Sequence, residues 1–471
     1  MALNNMPNEV LVDIVHWAVS SGTPEEAGRL AAVNSTWQSI VEEKTFEHLR
    51  LKAHDLTEAM AILNRRPERF GLVRIILFQV VLTRYTRADC RNVETSHERF
   101  ENDLAFTKDM NKLLTSLAEW PSTGKELELR LYSYSPTDTR ILIGNAWHRF
   151  WFGIVQNDIF SNRWYGSTLE MYKTIKDPVP AITKLTMRDD CERFIAVSGI
   201  ECLFGALKGL KDVHIRFWDI YKHDPESVRR LNRRRMAKMI EQMPSSVETM
   251  RLHVEYYPPA DQKFKGQKTC DNDKRDALTV AFRNVSQKMK FIDIQGMLGT
   301  SELFWPAHID AANPVPFWPK LERMVLYYHI LEPSGDWIFE KDATSHPRVQ
   351  FELPFYNLDT NHTPAEDIRP MQNRFTANQE KMDLFYTTIA KAVAQMPKLK
   401  YMRVQAMIYW SSVLVPFHVF EYRVMGHIGH AKWTGIPSFR VDDDVLKFWQ
   451  KMAYERDLIM RFEWEELPQP L

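Results

Sequence analysis

The sequence predicts an α/β chain in three parts: a small helical module over residues 1–50, a long array of helix–turn–strand units over 51–410, and a closing segment over 411–471. Three observations lead there. The first fifty residues carry helix signals and apolar stripes, but too little chain for a secure core of their own. Short strand-like runs then recur, most of them after a helical stretch. Beyond residue 410 the rhythm changes.

The N-terminal signals are specific. Pro7 suits the first position of a helix, where its missing N–H costs nothing. Glu9 places acidic charge in the first turn. Val10, Leu11, Ile14 and Val15, continued by Ala18, form one apolar stripe. Thr23 is the expected N-cap of a second helix, with Pro24 at its first position and Glu26 as the capping-box partner. In that helix Ala27, Leu30, Ala31, Asn34, Trp37 and Val41 fall on one face. Thr45-Phe46 begins a short third element. Helices this short must dock on the rest of the chain or on another protein.

Pro7, Glu9, Val10, Leu11, Ile14, Val33 and Trp37, in this order and spacing, resemble the F-box, the helical module through which substrate receptors attach to cullin-based ubiquitin ligases. Met6 stands where that family usually has Leu, a volume-conserving change. The run Val33-Asn34-Ser35-Thr36-Trp37-Gln38, then Glu42, Thr45-Phe46 and Leu49-Arg50-Leu51, is similar to F-box proteins of filamentous fungi. So are Ile75 to Tyr85, Asn102, Phe106-Thr107, the Trp120 region, Phe317 to Glu322 and Pro333 to Trp337. The resemblance implies an adaptor surface made by Pro7, Val10, Leu11, Ile14, Val33 and Trp37, with Leu11 and Trp37 at its energetic centre. It implies a Skp-type adaptor as partner, a cullin beyond it, and a protein substrate for the array. The same helices would also serve as an N-terminal cap of a scaffold with no ubiquitin role.

The interior runs are Leu72–Leu77, Leu127–Leu131, Leu185–Met187, Val213–Phe217, Met250–Val254, Phe291–Ile294, Met324–Leu326 and Met402–Val404. Several alternate apolar and polar, the period-2 signature of a half-buried strand. Units superpose: a helix, Gln242-Met243-Pro244, then Val247 and a strand; a helix, Gln395-Met396-Pro397, then Leu399 and a strand; Gly209-Leu210-Lys211-Asp212 before Val213. This is the rhythm of an irregular leucine-rich-repeat-like solenoid, in which each unit buries its apolar edge only by stacking. A generic α/β domain is the other reading. The gap between Met324 and Met402 is wide enough for roughly two units.

Insertions interrupt the array. Ala88 to Asn102 is polar without clear periodicity. Tyr132 to Asp138 reads as a turn cluster, and 258–276 and 340–369 read as long exposed loops. In the closing segment Phe417–Val424 alternates as a strand and Lys432-Trp433-Thr434-Gly435 follows. Val441–Glu455 reads as a helix with Val445, Leu446, Phe448, Trp449 and Met452 inward. Arg461–Trp464 reads as a last strand. Such a segment would close the open end of the array.

Composition narrows the function. Lys+Arg and Asp+Glu both number 61, so the chain is neutral, which argues against a dominant nucleic-acid or anionic-membrane role. Fourteen Trp and 26 Phe supply a large core. Cys90, Cys191, Cys202 and Cys270 fit neither a zinc ribbon nor a disulfide framework. No signal-peptide pattern or long apolar run occurs, so a soluble chain in cytoplasm or nucleus is expected. Phosphate-loop, dinucleotide, zincin and nucleophile-elbow motifs are absent. No cofactor or metal is expected, and the chain reads as an adaptor and not an enzyme, with a hydrolase or transferase using an unrecognised site as the further alternative. His308 near Asp310 has no second ligand. Cys191 beside Arg188 and Arg193 is the nearest thing to a reactive thiol. Arg229 to Arg235 reads as a solvated helix face, or as a nuclear-import signal, an RNA contact or a contact for an acidic partner.

Overall fold

A computed structural model of the chain describes residues 8–138, 163, 168–172, 177–187, 193–219, 225–255, 259, 261–270, 275–310, 314–341, 348–349, 371–372, 374–410, 413–435 and 438–466. One 12-stranded sheet organises it. Its strands are β1 (His48–Lys52), β2 (Ile75–Val81), β3 (Glu128–Tyr134), β4 (Lys184–Met187), β5 (Asp212–Trp218), β6 (Thr249–Glu255), β7 (Phe291–Leu298), β8 (Arg323–His329), β9 (Tyr401–Trp410), β10 (Val413–Met425), β11 (Ile428–Gly435) and β12 (Ile459–Glu466). Each strand lies beside the next in chain order. Pairing is parallel from β1 to β9. β10 runs antiparallel between β9 and β11, and β12 returns parallel to β11. β1 and β12 are the two edges, so the sheet is mostly parallel and not a closed barrel.

All eight strand-like runs of the interior fall in this sheet. Ahead of the closing segment, β1 is the strand they do not include. It follows directly on a helix and shows only Leu49 and Leu51 as apolar signal. The gap after Met324 is also corrected: β8 and β9 are direct neighbours, so no strand of the sheet comes from between them. That stretch instead supplies two short antiparallel pairs, Phe339–Lys341 with Arg374–Ala377 and Arg348–Val349 with Met371–Gln372, and one long helix.

The sheet has two unlike faces. Leu129 and Leu131 in β3, Val213, Ile215 and Phe217 in β5, and Met250, Leu252 and Val254 in β6 are buried. They meet α5 (Ser96–Ala118), α6 (Val197–Ala206), α7 (Glu226–Glu241), α8 (Ala277–Ser286) and α9 (Gln379–Ala394) in one continuous core. Each fully buried large apolar side chain contributes about 1.5–3 kcal/mol. The intervening positions Arg130, Tyr132, His214, Arg216, Arg251 and His253 remain half-buried or exposed. Glycine is required at one point: Gly296 has φ +85°, and a Cβ there would sit 1.8 Å from the Val254 carbonyl oxygen. It lies at the irregularity where β7 slips against β8.

The two rims differ as much as the faces. Turns leading from helix into strand are short: 207–211, 242–248, 287–290 and 395–400. Gln242 and Gln395 end their helices in the same way, and Leu210, Val247, Met289 and Leu399 are all buried beneath the turn. A backbone ladder runs along this rim. Glu248 N–H donates to Lys211 O at 2.9 Å, Lys290 to Glu248 at 2.7 Å, Glu322 to Lys290 at 2.9 Å and Lys400 to Glu322 at 2.9 Å. The described parts of the insertions follow strand C-termini, on the opposite rim.

Several insertions are not the exposed loops the sequence suggests. Thr95 and Glu98 form a capping box, and α5 starts at Ser96 inside the aperiodic stretch. Its polar residues Asn102 and Asp103 are buried, which hides the helical period. β3 continues to Tyr134, and Asp138 is fully buried. Within 258–276, Asp261, Gln262, Thr269 and Cys270 are buried; Thr269 and Cys270 bond to the Pro333 carbonyl, and Gln262 accepts from Arg374. Most of 340–369 lies outside the described residues.

β10, β11, α10 (Asp443–Glu455) and β12 form the closing segment. Trp433, Trp449, Phe420 and Tyr386 pack edge and face together, and Trp433 stacks on Trp464 at 5.9 Å. Val445, Trp449 and Met452 point inward as expected, but Phe448 is exposed, with Lys391 over its ring at 5.7 Å.

Candidate functional site

The N-terminal module consists of α1 (Asn8–Ser21), α2 (Pro24–Ala31) and α3 (Ser35–Glu47). The Thr23/Glu26 capping box forms as the sequence predicts. The second helix is shorter than expected. Asn34 leaves the helical region at φ −165° and ψ 178°, and its side chain accepts from Trp37 N–H at 2.9 Å. A cap at Asn34 splits what reads as one amphipathic helix into α2 and α3.

Three helices give the module its own core. Leu11, Val15, Ala27, Ile40 and Val41 are buried together, with Val12, Val19, Leu30, Ala31 and Trp37 packed around them. This cluster is separate from the core of the array. Leu11, expected on the adaptor surface and at its centre, is therefore inside. Trp37, the other expected centre, lies partly against the same core. Pro7 lies outside the described residues.

Val10, Ile14 and Val33 are the expected surface residues that do face solvent. They are 45%, 42% and 57% exposed. Trp17 joins them at 73%. It was missed because the stripe through Leu11, Val15 and Ala18 absorbs the apolar signal of α1. Val10, Ile14 and Trp17 are a second stripe, at i, i+4 and i+7. A helix with one buried and one exposed apolar stripe has more apolar surface than its own module can cover.

Docking to the array is specific and one-sided. α3 runs straight into β1. Arg69 donates from Nε and Nη2 to Glu42 at 3.1 and 2.6 Å and also lies 5.0 Å from the Phe46 ring. Those bonds hold the Glu42 carboxyl below its ordinary range, against a smaller upward push from burial. Phe46 packs on the array core. The face bearing Val10, Ile14 and Trp17 takes no part in this contact.

Two buried charge clusters lie past the C-terminal ends of the strands. In one, Arg193 pairs with Glu94 at 2.8 Å and Arg163 with Glu98 at 2.6 Å. Arg163 also stacks 3.7 Å from the Tyr85 ring, and Tyr85 O–H donates to Asp138. Burial and the Asp138 charge push the Tyr85 hydroxyl far above its usual range, whereas Arg163 and Thr95 hold Glu98 at about 2 despite its burial.

In the other cluster, Arg233 grips Asp276 at 2.6 and 2.7 Å and also donates to Asp219. Arg229 is 3.5 Å from Asp219. Burial raises the Asp219 pKa. Asp276 is as deeply buried, but Arg233 and Thr279 lower it overall. The Arg229–Arg235 run is thus not a uniform solvated face. Arg229 and Arg233 are buried, while Arg234 and Arg235 are exposed.

His308 and Asp310 are exposed, and Cys191 and Arg188 lie outside the described residues. Among the described residues no group of three or more His, Cys, Asp or Glu is placed to hold a metal ion, and no helix is long and apolar enough to cross a membrane. Searches for relatives add no family: no protein-family model matches the chain, and no curated protein matches it significantly.

Proposed function

We propose that this chain is the substrate receptor of an SCF-type cullin ubiquitin ligase. Residues 1–50 act as an F-box that binds a Skp-type adaptor, and the array, read as an irregular leucine-rich-repeat-like solenoid, recruits a protein substrate. The chain transfers no ubiquitin itself. It raises the local concentration of a target lysine near a charged ubiquitin carrier.

One observation carries the reading. A helical module with its own core presents Val10, Ile14, Trp17 and Val33 to solvent. An exposed aromatic flanked by aliphatics is the composition of an interface centre. Parallel strands in chain order, helices on one face and insertions on one rim support the repeat reading. A reducing cytoplasmic or nuclear location fits the free thiol of Cys90.

Co-purification with a Skp-type adaptor tests this. Ile14→Asp and Trp17→Ala alter the exposed stripe and leave the module core untouched. A stoichiometric complex with the wild-type chain, lost in both variants, is expected. A well-folded wild-type chain that captures no adaptor would overturn the reading. The scaffold reading would then lead, on the strength of the Glu42–Arg69 and Phe46 contacts that make α3 part of the array.

A further inference from the structure

We infer that the short-turn rim of the sheet, from β5 to β9, docks an acidic polypeptide segment whose carboxylates are spaced about three residues apart. The inference deepens the receptor reading by naming the substrate class, and it rests on that reading for its biological sense.

The chain as a whole is neutral, but this rim is not. Lys211, Lys290, Lys320, Lys398 and Lys400 line it, next to Arg323 on the first row of the open face. All but the half-buried Lys290 are exposed. Two acidic residues of the turns face them, and Asp212 stands on the same first row as Arg323, paired with Arg251 at 3.2 Å. Glu248 pairs with Lys290 at 2.6 Å, and Glu322 pairs with Lys400 at 2.7 Å. These lysines and arginine therefore outnumber the rim carboxylates. The backbone ladder fixes the positions, because Lys211, Glu248, Lys290, Glu322 and Lys400 each bond to the next across adjacent strands. Aromatic surface lies beside the charge: Phe291 is exposed, and Arg323 sits 5.0 Å from the Tyr401 ring.

Spacing decides the kind of partner. Lysines occupy every second strand of the ladder, and strands are about 4.8 Å apart, so the cations repeat at about 10 Å. A polypeptide in the polyproline II conformation rises about 3.1 Å per residue with three residues per turn, so every third side chain points the same way and meets a cation. A polyphosphate backbone would meet Glu248 and Glu322 as well, and like charges disfavour it. An acidic polypeptide with intervening neutral residues avoids both.

The test uses the full-length chain and fluorescence anisotropy with three dye-labelled probes: a Glu-Ser-Ser repeat peptide, a Lys-Ser-Ser repeat of equal length, and a single-stranded RNA. The Glu peptide should bind, and added salt should weaken it. Lys320→Glu with Lys398→Glu should weaken it about tenfold or more, and Glu322→Lys should tighten it. These positions are on exposed turns, so an unchanged melting temperature checks folding. Equal binding of the Lys peptide, tighter binding of the RNA, or no response to the rim variants would overturn the inference. None of these readouts involves the adaptor. Failure here leaves the adaptor-binding face intact, and failure of adaptor capture leaves this result intact.

Discussion

The N-terminal module and the array solve the same burial problem in opposite ways. The array stacks strand on strand until one core runs from Leu51 to Met452, and it shows charge and amide on its open face. The module buries five residues fully and leaves Val10, Ile14, Trp17 and Val33 in water. Apolar surface left exposed costs solubility without adding to the core. It is retained where a partner covers it. On the proposed receptor reading, the array is held by its own packing and the module is completed by association.

Four measurements would break or sharpen that contrast. The largest effect should come from inside the array. Arg233→Ala strips Asp219 and Asp276 of their shared cation in a fully buried site, and should cost about 3–5 kcal/mol. Chemical denaturation should show the loss as a lower midpoint for the whole array. An array that melts unchanged would mean the cluster is incidental to its cooperativity.

Next is Leu11→Ala, which opens the small core and should cost about 2–3 kcal/mol. Hydrogen exchange should show the loss confined to residues 8–45. Equal loosening of the array would show that the two regions form one cooperative unit.

The third is a pH effect in the closing segment. His418 is buried against Phe339, Tyr386 and Phe439, with its Nε2 2.7 Å from the Tyr386 hydroxyl. Burial lowers its pKa to about 3. The unfolded chain then takes up the proton first as the pH falls. Stability is complete above the ordinary histidine pKa of about 6.5 and declines as pH drops from there toward 3. His418→Gln should flatten that part of the stability–pH curve. An unchanged acid limb would place the titration elsewhere.

The smallest effect on stability should come from Trp17→Ala, within about 0.5 kcal/mol because the side chain is in solvent. If thermal melting instead shows a large loss, Trp17 is structural and the module is not waiting for a partner.

Much of the array was legible in the sequence because alternation in a half-buried strand and the short turn before it are local. Met250-Arg251-Leu252-His253-Val254 states its own pleat, and Gln-Met-Pro followed by a buried Val or Leu states the turn twice. What escaped is where polar residues are buried. Asn102, Asp103, Arg229 and Arg233 look like surface residues until partners distant in sequence are brought to them. The candidate site was half legible. Val10, Ile14 and Val33 were read as surface. Leu11 was misplaced, because a stripe on a short helix does not say whether its own neighbours or a partner will cover it.

By itself the sequence determined the eight interior strands and their order, the capped start of α2, the neutral charge and the helical module at the N-terminus. These follow from local propensity, caps and period. Only the tertiary structure decided that β1 joins the sheet, that β8 and β9 are neighbours, and which stripe of α1 faces water. Those outcomes depend on contacts between residues far apart in the chain, and no local pattern encodes which of two apolar stripes finds a partner first.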